Sequence, residues 1–143
     1  MVGFNVIQLQ SCISGSRENY RMSKKKKLRC YIAGPMRGIP YFNFPAFFEA
    51  EKQLKDKGYI VFNPARRDVQ KYGKEVAAPS GSIKEAASQV GFSLREALAM
   101  DTTWICINAD ILCLLPGWKK SKGANAELAL AKALGLKVIK LKG

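Results

Sequence analysis

The sequence predicts an α/β fold in which helices cover both faces of a parallel sheet. Residues 30–33 and 111–115 are runs of consecutive apolar residues that do not alternate with polar ones. This is the pattern of strands that are buried on both faces. Each run ends in a turn that contains glycine and proline, and a helical pattern follows each turn. Strands that alternate with helices along a chain are typical of parallel sheets.

The stretch from residue 110 to residue 141 predicts a complete strand, loop, helix and strand. Its first strand ends at Pro116, and a loop with three lysines leads into a helix rich in Ala and Leu. The helix ends at Gly135, before a last strand from Val138 to Leu141. This is half of a doubly wound unit, in which ligands bind outside the carboxyl ends of the strands.

Glu127 lies near the start of this helix and shares a helical face with the small residues Gly123, Ala124 and Ala131. Small residues allow close approach, so this face is predicted to point into the ligand crevice. The alternative is that Glu127 only complements the helix dipole.

The first strand, Cys30 to Ala33, runs directly into the segment 34–38, GPMRG. Glycines after a strand allow backbone N–H groups to approach an anion, and Arg37 adds a positive charge. The segment matches neither a P-loop nor GxGxxG, and a Gly-Pro pair after a strand is often only a turn.

Asn43 is predicted to cap a helix that extends to Lys57, and residues 59–62 are predicted to form the second strand. Residues 65–92 show no clear pattern and are predicted to form a long loop, either a lid or disordered. A helix is predicted from Ser93 to Asn108. If this helix breaks at Asp101, that residue is an N-cap near the carboxyl edge of the sheet. Asp110 opens a strand at the opposite edge of the sheet, so it is predicted to have a structural role.

Composition predicts one domain, residues 29–143, after a basic and flexible extension, residues 1–28. Hydrophobic residues make up 48% of the 143-residue chain. No apolar run is long enough to span a bilayer and no signal peptide is recognisable, so a cytoplasmic protein without membrane contact is expected. The four cysteines form no CxxC pair, which indicates neither a disulfide framework nor a zinc site.

The net charge of +13 is concentrated towards the N-terminus, because residues 1–29 hold seven Lys or Arg and one acid. The run Lys24 to Lys27 predicts at most a weak contact with nucleic acid. The chain has no histidine, so acid–base chemistry is left to Asp and Glu.

Three segments together resemble the nucleoside 2-deoxyribosyltransferase-like superfamily, which includes small phage and bacterial proteins. They are YIAGPMRG after the first strand, Asp101 in the crossover before ADILCLLPGW, and SKGANAE at the start of the last helix. The resemblance covers residues 29–141. It implies a flavodoxin- or Rossmann-like three-layer sandwich with a four- to five-stranded parallel sheet whose strand order begins 2-1-3.

The resemblance also implies a catalytic pair in which Glu127 is the nucleophile and Asp101 orients the sugar or assists the leaving base. Cleavage of a glycosidic bond passes through an oxocarbenium-like state that a carboxylate can capture, so no metal and no cofactor are expected. The predicted substrate-binding residues are Tyr31, Gly34, Pro35, Met36, Arg37, Gly38, Asn43, Ser121 and Gly123.

The leading hypothesis is cleavage of an N-glycosidic bond, or deoxyribosyl transfer, on a 2'-deoxynucleoside 5'-monophosphate. The resemblance implies that the residue at the position of Ser121 differs with the substrate. Enzymes that act on free nucleosides have an acidic residue there, whereas hydrolases of nucleoside monophosphates have a serine. A hydroxyl beside lysines and a helix N-terminus can bind a phosphate. The alternative is that Ser121 merely caps the helix.

Two other function classes remain open from the sequence. The same crevice could hold a nucleotide or a nucleotide-derived signal without catalysis, since a fold does not determine a function. A weaker candidate is a nucleic-acid accessory protein that uses the Lys24 to Lys27 run. A homodimer or higher homo-oligomer is expected, in the bacterial host cytoplasm if the protein is phage-encoded.

Overall fold

The computed structural model describes residues 25–143 of the chain. Most of the predicted N-terminal extension, including Cys12 and Lys24, lies outside the described residues. The prediction that this extension is flexible therefore stays a prediction.

The described chain forms one parallel sheet of four strands in the order β2-β1-β3-β4. The strands are β1 (Arg29–Ala33), β2 (Ile60–Phe62), β3 (Ile111–Leu114) and β4 (Lys137–Lys140). The helices are α1 (Phe44–Asp56), α2 (Pro64–Tyr72), α3 (Ile83–Val90), α4 (Leu94–Asn108) and α5 (Lys122–Ala133). The predicted α/β class, the three-layer sandwich with a parallel sheet, and the order beginning 2-1-3 are confirmed.

The two central strands separate two apolar cores, one on each face of the sheet. Cys30 and Ile32 of β1 pack into the core that includes Phe47 of α1. Tyr31 and Ala33 point to the other face, into a core with residues of α4 and α5. Successive side chains of a strand point to opposite faces, so a strand covered on both sides must be apolar throughout. This is why the pattern of residues 30–33 identified a central strand.

The prediction that residues 65–92 form a long loop is wrong, because this segment contains most of α2, a short 3-10 turn and α3. The Asn63 side chain caps α2 by accepting a hydrogen bond from the N–H of Ala65 at 2.9 Å, and Pro64 occupies the first turn. The Ser82 hydroxyl accepts a hydrogen bond from the N–H of Glu85 in α3. Both are recognisable helix-start signals in the sequence, although no helix was predicted from either of them.

The alternative reading of Asp101 as an N-cap is wrong, since α4 runs without a break and Asp101 lies in its middle. Ser93 caps this helix instead, through its hydroxyl and the N–H of Glu96. Asp110 has the structural role predicted for it. Its Oδ2 accepts a hydrogen bond from the backbone N–H of Arg29 at 2.8 Å, at the edge of the sheet opposite the carboxyl ends.

Asn43 does not cap α1 with its side chain, contrary to the prediction. Tyr41, Phe42 and Asn43 have φ angles of 56°, 52° and 59°, which is the left-handed region. The Asn43 amide nitrogen instead donates to the carbonyl oxygen of Pro35 at 3.0 Å. Asn43 therefore braces the turn that follows β1.

Candidate functional site

A cavity of about 540 Å³ lies at the carboxyl ends of β1 and β3, which is where doubly wound sheets place their ligands. Its volume is in the range of small-molecule sites. The lining is largely apolar in one part and polar in another. The apolar side chains include Met36, Ile39, Phe42, Phe44, Phe47, Val76, Ile83, Phe92, Leu94 and Leu98. The polar and charged ones are Tyr31, Arg37, Asp68, Asp101, Lys120, Ser121, Lys122 and Glu127.

Three carboxyl groups are buried in this cavity. Asp68, Asp101 and Glu127 have only 4%, 8% and 7% of their surface exposed. Glu127 reaches the cavity because α5 packs closely on the sheet through Ala124 and Ala131, both fully buried. Buried carboxyl groups are costly unless they are paired or neutral, so three of them in one cavity indicate a ligand site.

Burial strongly raises the pKa values of the pair that was predicted to be catalytic. The pKa of Glu127 rises to about 8, chiefly through loss of solvent, and the nearby Asp101 carboxyl adds to the rise. The pKa of Asp101 rises to about 7 for the same main reason, although the positive charge of Arg67 opposes the rise. Both groups therefore titrate near neutral pH and can exchange protons with a ligand.

Tyr31 connects the two acids. Its phenol is 1% exposed, and its pKa is raised well above the usual value by burial and by the charges of Glu127 and Asp101. The Tyr31 hydroxyl in turn lowers the pKa of each carboxyl by hydrogen bonding, against the larger effect of burial. Glu127 Oε2 and Asp101 Oδ1 have no well-oriented hydrogen-bond partner within residues 25–143. Such unsatisfied buried oxygens are available to a ligand.

An aromatic stack supports the Tyr31 ring from behind. The rings of Tyr31 and Phe62 are stacked with centroids 5.4 Å apart, and the ring of Trp104 stacks on Phe62 at 4.8 Å. The phenol is thus held in one orientation by packing across β1, β2 and α4.

A positively charged rim borders the polar part of the cavity. It consists of Arg37 on the turn after β1, Lys120 in the short 3-10 turn before α5, and Lys122, the first residue of α5. The hydroxyl of Ser121 accepts a hydrogen bond from the N–H of Ala124 at 3.1 Å, and it donates weakly to the carbonyl oxygen of Gly34 at 3.5 Å. Ser121 therefore caps α5, as the alternative reading expected, and it also lines the cavity.

Most of the predicted site residues lie together in the cavity lining. These are Glu127, Asp101, Tyr31, Gly34, Pro35, Met36, Arg37, Ser121 and Gly123. Gly34 is needed for packing, because a Cβ atom there would lie 2.8 Å from the side chain of Leu115. Gly38 and Asn43 are outside the lining. The N–H of Gly38 is already donated to the carbonyl oxygen of Gly81 at 2.9 Å, so it is not free for an anion.

Sequence reasoning missed two charged residues of the site, Arg67 and Asp68. Both are on α2, within the segment that was predicted to be a loop. Arg67 Nη2 lies 2.7 Å from Asp68 Oδ1 and 3.3 Å from Asp101 Oδ1. The start signal at Asn63-Pro64 could have identified the helix, but nothing local in the sequence indicates that its Asp68 faces Asp101.

Within the described part of the chain, no cluster of three or more His, Cys, Asp or Glu residues is arranged to hold a metal ion. No helix there is both long and apolar enough to cross a bilayer. Cys30 and Cys113 are buried free thiols, as expected for small apolar residues of central strands, and Cys106 is exposed.

Comparison with protein families identifies one matching family model, described as "Domain of unknown function (DUF4406)", over residues 28–140. The chain belongs to this family. Its boundaries coincide with the α/β domain, from the residue before β1 to the end of β4. No curated protein and no solved structure matches the chain.

Proposed function

We propose that this protein cleaves the N-glycosidic bond of a 2'-deoxynucleoside 5'-monophosphate, with Glu127 as the nucleophile. The observation that carries the proposal is the pair of buried carboxyls, Glu127 and Asp101, which line one cavity with Tyr31 at the carboxyl end of a parallel sheet. The resemblance to nucleoside 2-deoxyribosyltransferase-like proteins supports the same assignment.

The chemistry needs one ionised and one protonated carboxyl group. Glu127 attacks C1' of the sugar, the C1'–N bond breaks, and Asp101 gives its proton to the departing base. Water then attacks C1' of the glycosyl-enzyme ester, its proton goes to Asp101, and Glu127 leaves as a carboxylate. If a second nucleobase attacks in place of water, the deoxyribosyl group is transferred to that base.

The apolar part of the cavity suits the base. Phe42, Phe44 and Phe92 contribute aromatic rings to the lining, and such rings pack well against a flat heterocycle.

The cationic rim suits the 5'-phosphate. Among the first N–H groups of α5, that of Ala124 donates to Ser121, whereas those of Lys122 and Gly123 are placed to bind an anion at the helix N-terminus.

The decisive experiment is base release from a panel of deoxynucleoside monophosphates, followed by chromatography. The wild-type protein should release base, and Glu127→Gln should lower kcat by at least about a thousandfold while the fold is kept, since the amide has the same shape but cannot attack. Glu49→Gln is the matched control, because Glu49 is exposed on α1 away from the cavity. Retention of most activity by Glu127→Gln would contradict the assignment.

The phosphate preference is tested by comparing kcat/KM for a deoxynucleoside and for its 5'-monophosphate. Charge-assisted hydrogen bonds contribute about 1.5–3 kcal/mol each, so two of them favour the monophosphate by roughly a hundredfold or more. The double variant Lys120→Gln/Lys122→Gln should lose most of this preference. Equal kcat/KM values for the two substrates in the wild-type protein would show that Ser121 only caps α5.

A non-catalytic nucleotide-binding protein is the second candidate, and one observation favours it. With a pKa of about 8, Glu127 is mostly protonated at pH 7, and a neutral carboxyl group binds a ligand but does not attack it. Tight nucleotide binding by calorimetry without base release from any member of the panel would select this candidate.

A further inference from the structure

Asp68 is a buried charged residue for which the proposed reaction has no use. It is 4% exposed, it lies on α2, and its side chain contributes to the cavity lining. The other residue that α2 contributes to the lining is Pro64, which is apolar. Asp68 is therefore the polar group that this helix presents to a ligand.

Arg67 holds Asp68 in place and connects it to Asp101. Nη2 of Arg67 is 2.7 Å from Asp68 Oδ1 and 3.3 Å from Asp101 Oδ1. The Arg67 side chain is 11% exposed, so the contact is largely shielded from solvent. Its Nε and Asp101 Oδ1 lack hydrogen-bond partners among residues 25–143. A buried charge cluster that is only partly satisfied adds little stability, which points to a role in binding.

The position of Asp68 relative to Asp101 indicates which part of a nucleotide it would meet. Both carboxyls contact the same nitrogen of Arg67, so they lie side by side in the cavity. If Glu127 is at C1' of the sugar and Asp101 is at the leaving base, Asp68 faces an edge of that base. This step rests on the proposed function.

We propose that Asp68, held by Arg67, selects nucleotides whose base carries an exocyclic amino group. A carboxylate paired with arginine only accepts hydrogen bonds, so it binds an N–H group and repels a carbonyl oxygen at the same position. Adenine and cytosine present an amino group where hypoxanthine and uracil present a carbonyl. Asp68 thereby becomes a specificity-determining residue contributed by α2, which lies in the segment that was predicted to be a loop.

The test compares two pairs of substrates, dAMP with dIMP and dCMP with dUMP, in which the amino group becomes a carbonyl and the adjacent ring nitrogen gains a hydrogen. In the wild-type protein, kcat/KM should favour the amino member of at least one pair by about tenfold or more, as expected for a hydrogen bond to a charged group. Asp68→Asn should reduce the ratio to about one or invert it, because an amide can also donate to a carbonyl oxygen. A wild-type ratio near one in both pairs, or an unchanged ratio in Asp68→Asn, overturns the proposal.

Two further variants separate recognition from folding. Glu51→Gln is the matched control, since Glu51 of α1 is a buried carboxyl paired with Arg66 of α2 but lies outside the cavity lining. It should leave the substrate ratio unchanged even if it lowers stability. If Asp68→Asn fails to fold, Arg67→Gln/Asp68→Asn removes both charges together, which is less disruptive, and it should abolish the preference. A ratio kept by this double variant overturns the proposal.

Calorimetric titration of Glu127→Gln with the same four nucleotides distinguishes failure of the inference from failure of the proposed function. Amino-selective binding that is lost when Asp68→Asn is added supports the inference even if the wild-type protein releases no base. Base release without any amino preference supports the proposed function and overturns the inference. Absence of binding for all four nucleotides overturns both.

Discussion

Glu127 and Asp101 derive their chemical character from their surroundings and not from their neighbours in the chain. Each is an ordinary acid in sequence, yet burial moves the pKa of Glu127 to about 8 and that of Asp101 to about 7. The order of these values means that, near neutral pH, the form with Glu127 ionised and Asp101 protonated is a minor one. Two neighbouring carboxyl groups with such close pKa values titrate as a coupled pair.

The pH dependence of kcat/KM should therefore be bell-shaped, with limbs near pH 7 and pH 8. Activity rises as the pair loses its first proton and falls as it loses the second, because the reaction needs one proton on the pair. Asp101→Asn should lower activity and remove the alkaline limb, since an amide does not titrate. Initial rates between pH 5 and pH 10 measure both effects, and a wild-type rate that is independent of pH across 6–9 would be incompatible with this pair.

Residue-level prediction succeeded where a side chain follows directly from its position on a regular element. Glu127 was identified because helical spacing places it on the face of Gly123 and Ala124, and that face does lie against the cavity. It failed for Asn43, whose position before a helix suggested a cap. The backbone there is left-handed, so the amide is directed to Pro35 instead.

At the scale of elements, the turn that precedes α1 depends on a contact with a distant loop. Left-handed backbone costs about 1–2 kcal/mol per non-glycine residue, and Tyr41 is one of three such residues in a row. The N–H of Tyr41 donates to the carbonyl oxygen of Ala78 at 3.0 Å, and the N–H of Gly38 donates to that of Gly81 at 2.9 Å. The loop at 78–81 thus stabilises the turn that carries Phe42 into the cavity.

Gly81→Ala should disrupt this contact. The added Cβ atom would overlap the backbone carbonyl oxygen of Ile39, and the φ of +68° at this position is unfavourable for alanine. We expect a loss of at least about 2 kcal/mol in the free energy of unfolding and weaker nucleotide binding, measured by urea denaturation and calorimetry.

Gly91→Ala is the control for the Gly81 substitution. Gly91 ends α3 with a φ of +71°, but no atom lies within 4 Å of the added Cβ. It should cost only the backbone strain, about 1 kcal/mol, and leave nucleotide affinity unchanged. Equal effects of the two substitutions would show that the loop at 78–81 does not support the turn.

For the molecule as a whole, the three buried acids predict that stability falls as pH rises. Asp68, Asp101 and Glu127 have folded-state pKa values of about 6, 7 and 8, all above the usual carboxyl range. Below about pH 3 these groups are mostly neutral in both states. As pH rises towards 8 they ionise more readily in the unfolded chain, which favours unfolding. Glu51 has the opposite shift, from 4.5 to about 2, so its contribution is lost as pH falls through this interval.

Glu127→Gln should flatten this decline. The variant lacks the group with the highest pKa of the three, so its advantage in unfolding free energy over the wild-type protein should grow by more than about 1 kcal/mol between pH 5 and pH 8.5. Urea denaturation across this range measures the difference. Curves for the two proteins that stay parallel over the whole range would show that Glu127 is not protonated in the folded protein.

The expected homo-oligomer stays a prediction.

The apolar pattern of the chain predicted the class of fold and the location of the crevice, and the family resemblance added the order of the central strands. Apolar runs at residues 30–33 and 111–115 must be buried on both faces, and parallel strands joined by helices leave few arrangements. The tertiary structure alone decided that Arg67 and Asp68 of α2 meet Asp101 of α4, because residues more than thirty positions apart come together only through the packing of helices on the sheet. It also decided the raised pKa values, since burial is a property of the whole fold and not of any local pattern.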